Sequence, residues 1–120
     1  MIGCLGNDNF GSLYLEQLEK EKVNFRGFRS KSNSTGIAHI TISEDGKNFI
    51  TIIPAANQEL NEEYIMNNQD LIINSKILLT QNEIDKKTTK AALQVAKDNK
   101  VLTVFNPAPA GCAHHPARRT

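Results

Sequence analysis

The sequence predicts an α/β fold: a layer of parallel strands and helices that carries one protruding β-hairpin. Three observations lead there. The segments "GIAHITI" and "FITII" flank the turn "SEDGKN", and the first alternates in the manner of a strand with two different faces. The segments "KILLTQ" and "VLTVF" are short unbroken apolar runs, the mark of parallel strands covered on both faces. Between those runs lies one amphipathic stretch of helix length, so strand, helix and strand compose a βαβ unit over about residues 76–105.

The elements follow in order. "MIGCLGNDNFG" reads as a strand from Ile2 to Leu5 that runs into a glycine corner. Asp8 is placed to cap the next helix, in which Phe10, Tyr14, Leu15 and Leu18 share the expected apolar face. "RGFRSKSNST" reads as a polar link. In the hairpin, at about residues 36–53, Ala38, Ile40 and Ile42 project to one side, and Ile50 and Ile52 are expected to join them. Gly46 is free to take the positive φ of the turn. After Pro54 come a polar loop and a helix starting near Asn61. Asp85 caps the helix of the βαβ unit, with Ala92, Val95 and Ala96 inward and Lys86, Lys87, Lys90 and Lys97 outward; Asn99 and Lys100 close it.

Composition narrows the function classes. At 120 residues, 39% hydrophobic and 22% charged, the chain has the make-up of one globular domain. A net charge of +1 gives no electrostatic case for nucleic acid or an anionic membrane as partner. No apolar stretch approaches bilayer-spanning length, and no charged-then-apolar leader opens the sequence. Cys4 and Cys112, the two cysteines, are expected as reduced thiols, in keeping with a cytoplasmic location, the nucleus also being open.

Ligands of open parallel sheets bind beyond the carboxyl ends of the strands. Gln81, Asn82 and Glu83 follow the first apolar run and Asn106 the second, so Glu83 and Asn106 are expected at a common crevice. A carboxylate there suits paired hydroxyls of a polyol, since it accepts two hydrogen bonds. Position alone leaves a second reading of Glu83 open, a solvated start to the next helix. Pro107 and Pro109 stiffen the corner after Asn106, either as a crevice wall or as a simple chain reversal.

Other chemistries find little support. Gly3, Gly6 and Gly11 have the spacing of neither phosphate-binding glycine loop. Cys112, His114 and His115 are metal-ligand types, but adjacent histidines in a short basic tail do not make a structural zinc site. His39 reads as an outward or interface residue, and Ser34 and Thr35 belong to no nucleophile–base arrangement.

Four segments carry a resemblance: "GCLGNDNFGSLYLEQLEKEKVN", "STGIAHITISEDGKNFITIIPAAN", "ILLTQNE" and "VLTVFNPAPA". Together they resemble the middle of a ribokinase-type member of the PfkB family of carbohydrate kinases, from about Ile2 to Ala110. The resemblance implies an incomplete Rossmann-like parallel sheet with the hairpin as a lid, and a partial kinase domain over residues 1–110. It implies transfer of the ATP γ-phosphoryl group to the 5-hydroxyl of ribose, with magnesium and stimulation by a monovalent cation. Glu83 matches the family glutamate that hydrogen-bonds the sugar. Ala38, Ile40 and Ile52 match lid residues packing over it, Asn57 lies at the lid's return, and Asn106 begins the strand-end corner of the same crevice. Gly6 and Asp8 match a G-x-D turn that reads as structural. Family members also pair through the lid, which implies a homo- or hetero-dimer.

The family's upstream aspartate and G-G-K-G-x-N segment, and its downstream Asn-Glu magnesium region and G-A-G-D segment, have no match in these residues. The last of these supplies the catalytic base, so the expectation is a truncated chain, inactive alone, with residues 111–120 an unrelated disordered tail and no ATP site of its own. Two alternatives stand beside it: a non-catalytic isoform or interaction module that pairs through the hairpin with a full-length kinase, and a kinase of another sugar.

Overall fold

Strand β1, Cys4–Gly6, is buried throughout and pairs in parallel with β2, Phe28–Ser30, with Cys4 opposite Phe28 and Gly6 opposite Ser30. The computed structural model describes residues 1–109, which divide into two units, Met1–Leu60 and the residues from Asn61 onward. Strand β1 starts two residues later than expected, and β2 lies in the segment read as a polar link. Three-residue strands are too short to show a period, and Arg29 and Ser30 give β2 a loop-like composition.

Helix α1, Asn9–Lys20, is capped by Asp8, whose Oδ1 accepts the Gly11 N–H at 2.8 Å. The buried face of α1 differs from the expected one. Gly11 and Leu18 are buried, whereas Phe10 and Tyr14 are 60% and 45% exposed. A Cβ on Gly11 would stand 2.4 Å from the Gly6 carbonyl oxygen, so the helix seats its glycine side against the end of β1. The next residues along the stripe, Leu15 and Leu18, follow at helical spacing, and Phe10 and Tyr14 turn outward. Helix α1 ends with Lys22 at φ 55°, its N–H on Glu19 O and the Val23 N–H on Leu18 O, a Schellman closure.

Strands β3, Ile37–Ile42, and β4, Asn48–Ile53, form the antiparallel hairpin. Ala38 faces Ile52 and Ile40 faces Ile50, so the apolar face expected from alternation is the one that forms. Its other face pairs Ile37 with Ile53, His39 with Thr51 and Thr41 with Phe49. Gly46 takes φ 78° in the turn, as expected. All residues of both strands are exposed. A 3-10 turn, Ala55–Glu59, follows the hairpin and packs on β1 and β2.

In the second unit, Asn61 caps α2, Glu62–Asn67, by accepting the Tyr64 N–H at 2.9 Å. Helix α3, Gln69–Ile73, follows after a break at Asn68. Both pack on α4, Lys86–Asp98, which buries Thr88, Thr89, Ala92, Val95 and Ala96. Strands β5, Ile77–Gln81, and β6, Leu102–Asn106, are parallel neighbours, with Ile77 opposite Leu102 and Gln81 opposite Asn106. The βαβ unit and the Asp85 cap therefore stand as read from sequence.

Burial of these strands on both faces does not. Leu79 is 73% exposed, and Ile77, Leu102 and Val104 are exposed on the same side as Leu79. Helix α4 covers the opposite side in part: Leu78 and Thr80 are half-buried there, while Thr103 and Phe105 of β6 remain exposed. An unbroken apolar run reports what a strand is fit to bury, which here exceeds what this unit covers.

Candidate functional site

The candidate residues fall into two groups, one in each unit. In the first, Ala38 and Ile52 stand directly opposite each other across the hairpin, and Ile40 lies on the same face two residues along. Cross-strand partners keep Cβ atoms within about 5.5 Å. The three therefore form one small apolar panel without polar side chains.

The roots of the hairpin are held by polar contacts. Thr35, two residues before β3, donates its N–H to Asp8 Oδ2 at 2.7 Å and its hydroxyl to Asp8 Oδ1 at 2.6 Å. The Thr35 hydroxyl also accepts the Gly6 N–H at 3.0 Å. These bonds, chiefly the one from the Thr35 side chain and then the Gly11 and Thr35 amides, pull the Asp8 carboxyl down to about 2. Arg29 donates to the Asp8 carbonyl at 3.2 Å. At the other root, Glu59 Oε1 accepts from Ser30 Oγ and from Asn33 Nδ2, each at 2.5 Å, which also lowers its pKa. A Cβ on Gly36 would meet Asn57 Nδ2 at 2.4 Å and Pro54 O at 2.8 Å, so entry and return of the lid approach as only glycine permits.

In the second unit, the register of β5 and β6 brings Gln81 and Asn106 to the same carboxyl edge. Glu83 lies two residues beyond β5, exposed, with its N–H donated to Gln81 Oε1. Helix α4 begins at Lys86 under the Asp85 cap, whose Oδ1 accepts the Lys87 N–H at 2.8 Å. Asn106 Oδ1 accepts the Ala108 N–H at 3.0 Å and closes the corner before Pro109, where the Ala108–Pro109 peptide is cis. Asn82 Nδ2 reaches Pro109 O at 2.9 Å and ties the loop carrying Glu83 to that corner.

The lid residues thus belong to one unit, and Glu83 and Asn106 to the other. Sequence reading missed the ties made by Thr35, Glu59 and Asn82, because each joins residues 26 to 29 positions apart. Among the described residues, no group of three His, Cys, Asp or Glu side chains is placed to hold a metal ion. Cys4 is a free, buried thiol whose pKa burial pushes up. Cys112, His114, His115 and the whole 111–120 tail lie outside the described residues. No helix of the described residues is long and apolar enough to cross a membrane.

The first unit carries an exposed antiparallel hairpin with apolar residues on both faces, and the second contains a βαβ unit with polar groups at its strand ends. The chain belongs to the pfkB family of carbohydrate kinases, whose family model matches residues 1–119. Among curated relatives it is 37% identical to the ribokinase of Lactococcus lactis, over 92% of this chain and 36% of that one. It is 35% identical to the ribokinase of Mus musculus, over 88% of this chain and 33% of that one. Among solved structures, a ribokinase from Thermotoga maritima superimposes with a TM-score of 0.74 at 39% identity, covering 92% of this chain and 35% of that one. The chain spans about a third of the length of the curated relatives it matches.

Proposed function

We propose that this chain supplies the sugar-covering lid and the acceptor-side strand ends of a kinase that phosphorylates D-ribose at its 5-hydroxyl with ATP. The observation that carries the reading is the hairpin register. It sets Ala38 and Ile52 opposite each other with Ile40 on the same face, the three positions that the family resemblance assigns to the lid. Glu83 is the proposed acceptor of two ribose hydroxyls, which a carboxylate takes without rearrangement. Asn106 and the proline corner are the proposed wall of the same crevice.

Phosphoryl transfer is mostly positioning and electrostatic stabilisation, and it needs a base and groups that hold the γ-phosphate. The family resemblance assigns the base and the phosphate-holding groups to segments that have no match in these residues, and on that ground the 120-residue polypeptide taken alone is proposed to turn over no ATP. The test is ADP formation by the purified chain with ATP, magnesium and D-ribose. The expected rate equals that of a Glu83→Ala control, and ribose-dependent turnover above that control contradicts the reading.

A second reading is favoured by one observation. The outer face of the hairpin also exposes Ile37, Phe49 and Ile53, a surface suited to pair with another lid. On this reading the chain is a non-catalytic module bound to a full-length kinase. Co-expression with a full-length ribokinase and pull-down separates the two, and no association leaves the module reading without support. D-fructose and a nucleoside assayed beside D-ribose in any resulting complex test the sugar assignment.

A further inference from the structure

We infer that Asp8 and Thr35 form a clamp that sets the direction of the hairpin, so that Asp8 is a positioning residue for the lid as well as the cap of α1. The inference rests on the lid reading proposed above. Both strands of the hairpin are exposed along their whole length, so packing inside the first unit does not fix where the hairpin points. Its direction is left to its two roots.

At the entry root, Thr35 is only 8% exposed and its backbone and side chain both bond to one carboxylate. Asp8 Oδ1 takes the Thr35 hydroxyl and the Gly11 N–H, and Oδ2 takes the Thr35 N–H. The Thr35 hydroxyl in turn accepts from Gly6 at the end of β1. A Cβ on Gly6 would stand 2.2 Å from Thr35 N, so the root lies directly on the strand end. At the exit root, the Ala56 N–H donates to Ser34 O at 3.0 Å and binds the return strand to the entry.

Capping α1 needs one acceptor oxygen, and asparagine supplies it as well as aspartate. Holding both donors of Thr35 needs the second oxygen, which asparagine lacks. The clamp and the cap are therefore separable by substitution. The carboxylate holds three donors, one from Gly11 and two from Thr35, 27 residues further along the chain than Asp8, which a cap alone does not require.

Hydrogen–deuterium exchange on the full 120-residue chain tests this, in wild type, Asp8→Asn, Thr35→Val and Thr35→Ser. The expected result for Asp8→Asn is wild-type protection of α1 with exchange in the peptides spanning residues 36–53 accelerated about tenfold or more, the scale of hydrogen bonds to a charged group. Thr35→Val is expected to reproduce that pattern, and Thr35→Ser, which keeps the hydroxyl, to return towards wild type. Exchange that rises alike in α1 and the hairpin in both Asp8→Asn and Thr35→Val overturns the inference. So do hairpin amides that exchange as fast in wild type as in the variants. Neither sugar nor nucleotide is present, so failure here leaves the kinase reading standing, and failure of the ADP assay leaves the clamp standing.

Discussion

Asp8 shows how one side chain carries two levels of structure. Its carboxyl is held at about 2, below its ordinary 3.8, chiefly by the Thr35 hydroxyl and then by the Gly11 and Thr35 amides. A depressed pKa means that the ionised form stabilises the fold above pH 3.8, and that this contribution fades as pH falls towards about 2. Glu59, lowered by Ser30 and then Asn33, acts in the same direction. The first unit is therefore expected to loosen on acidification through that window, followed by far-UV circular dichroism. Asp8→Asn should lose part of the pH dependence between 3.8 and 2. An unchanged acid profile in the variant would show that Asp8 is not ionised against Thr35. The cap was legible in sequence, because an aspartate before an apolar-periodic stretch announces one. The bond to Thr35 was not, since no local pattern links residues 27 positions apart.

Helix ends and the hairpin base give sharper tests of the elements. Lys100 ends α4 at φ 59°, with its N–H on Lys97 O and the Val101 N–H on Ala96 O. A non-glycine residue in that conformation costs about 1–2 kcal/mol, partly offset by the greater chain entropy of glycine, so Lys100→Gly is expected to stabilise by roughly 0.5–1 kcal/mol. Asp85→Ala removes the cap of the same helix and is expected to cost about 1 kcal/mol. Urea unfolding reads both. Gly36→Ala forces a Cβ against Pro54 O and Asn57 Nδ2 and is expected to destabilise the lid base by about 1–3 kcal/mol. The hairpin, its apolar face and the βαβ unit could be read from alternation, a glycine turn and two apolar runs, whereas the register of the hairpin could not. Strand β2 and the 3-10 turn at Ala55–Glu59 could not, because their stability comes from packing with β1 and not from their own composition. The outward turn of Phe10 and Tyr14 was hidden for a related reason. Gly11, a residue without hydrophobic weight, decides which side of α1 is buried.

Both units leave large apolar side chains exposed. Ile77, Leu79, Leu102 and Val104 lie on one face of β5 and β6, and both sides of the hairpin carry exposed isoleucines, with Phe49 on the outer side. Each large apolar side chain left in water forgoes roughly 1.5–3 kcal/mol, against a typical total stability of about 5–15 kcal/mol. The isolated chain is therefore expected to associate at micromolar concentration, and Leu79→Lys to lower its light scattering. The candidate site residues were legible only as two separate groups, since alternation orders residues along a hairpin and strand ends mark an edge, but neither relates one unit to the other. The most direct measurement replaces the matching segment of a full-length ribokinase with Ile2–Ala110 of this chain and follows ribose-dependent ADP formation. The account predicts an active chimera in which Glu83→Ala lowers kcat/KM by about tenfold to a hundredfold, the worth of hydrogen bonds to a charged group. A folded chimera that makes no ADP with ribose, or one indifferent to Glu83→Ala, would contradict it.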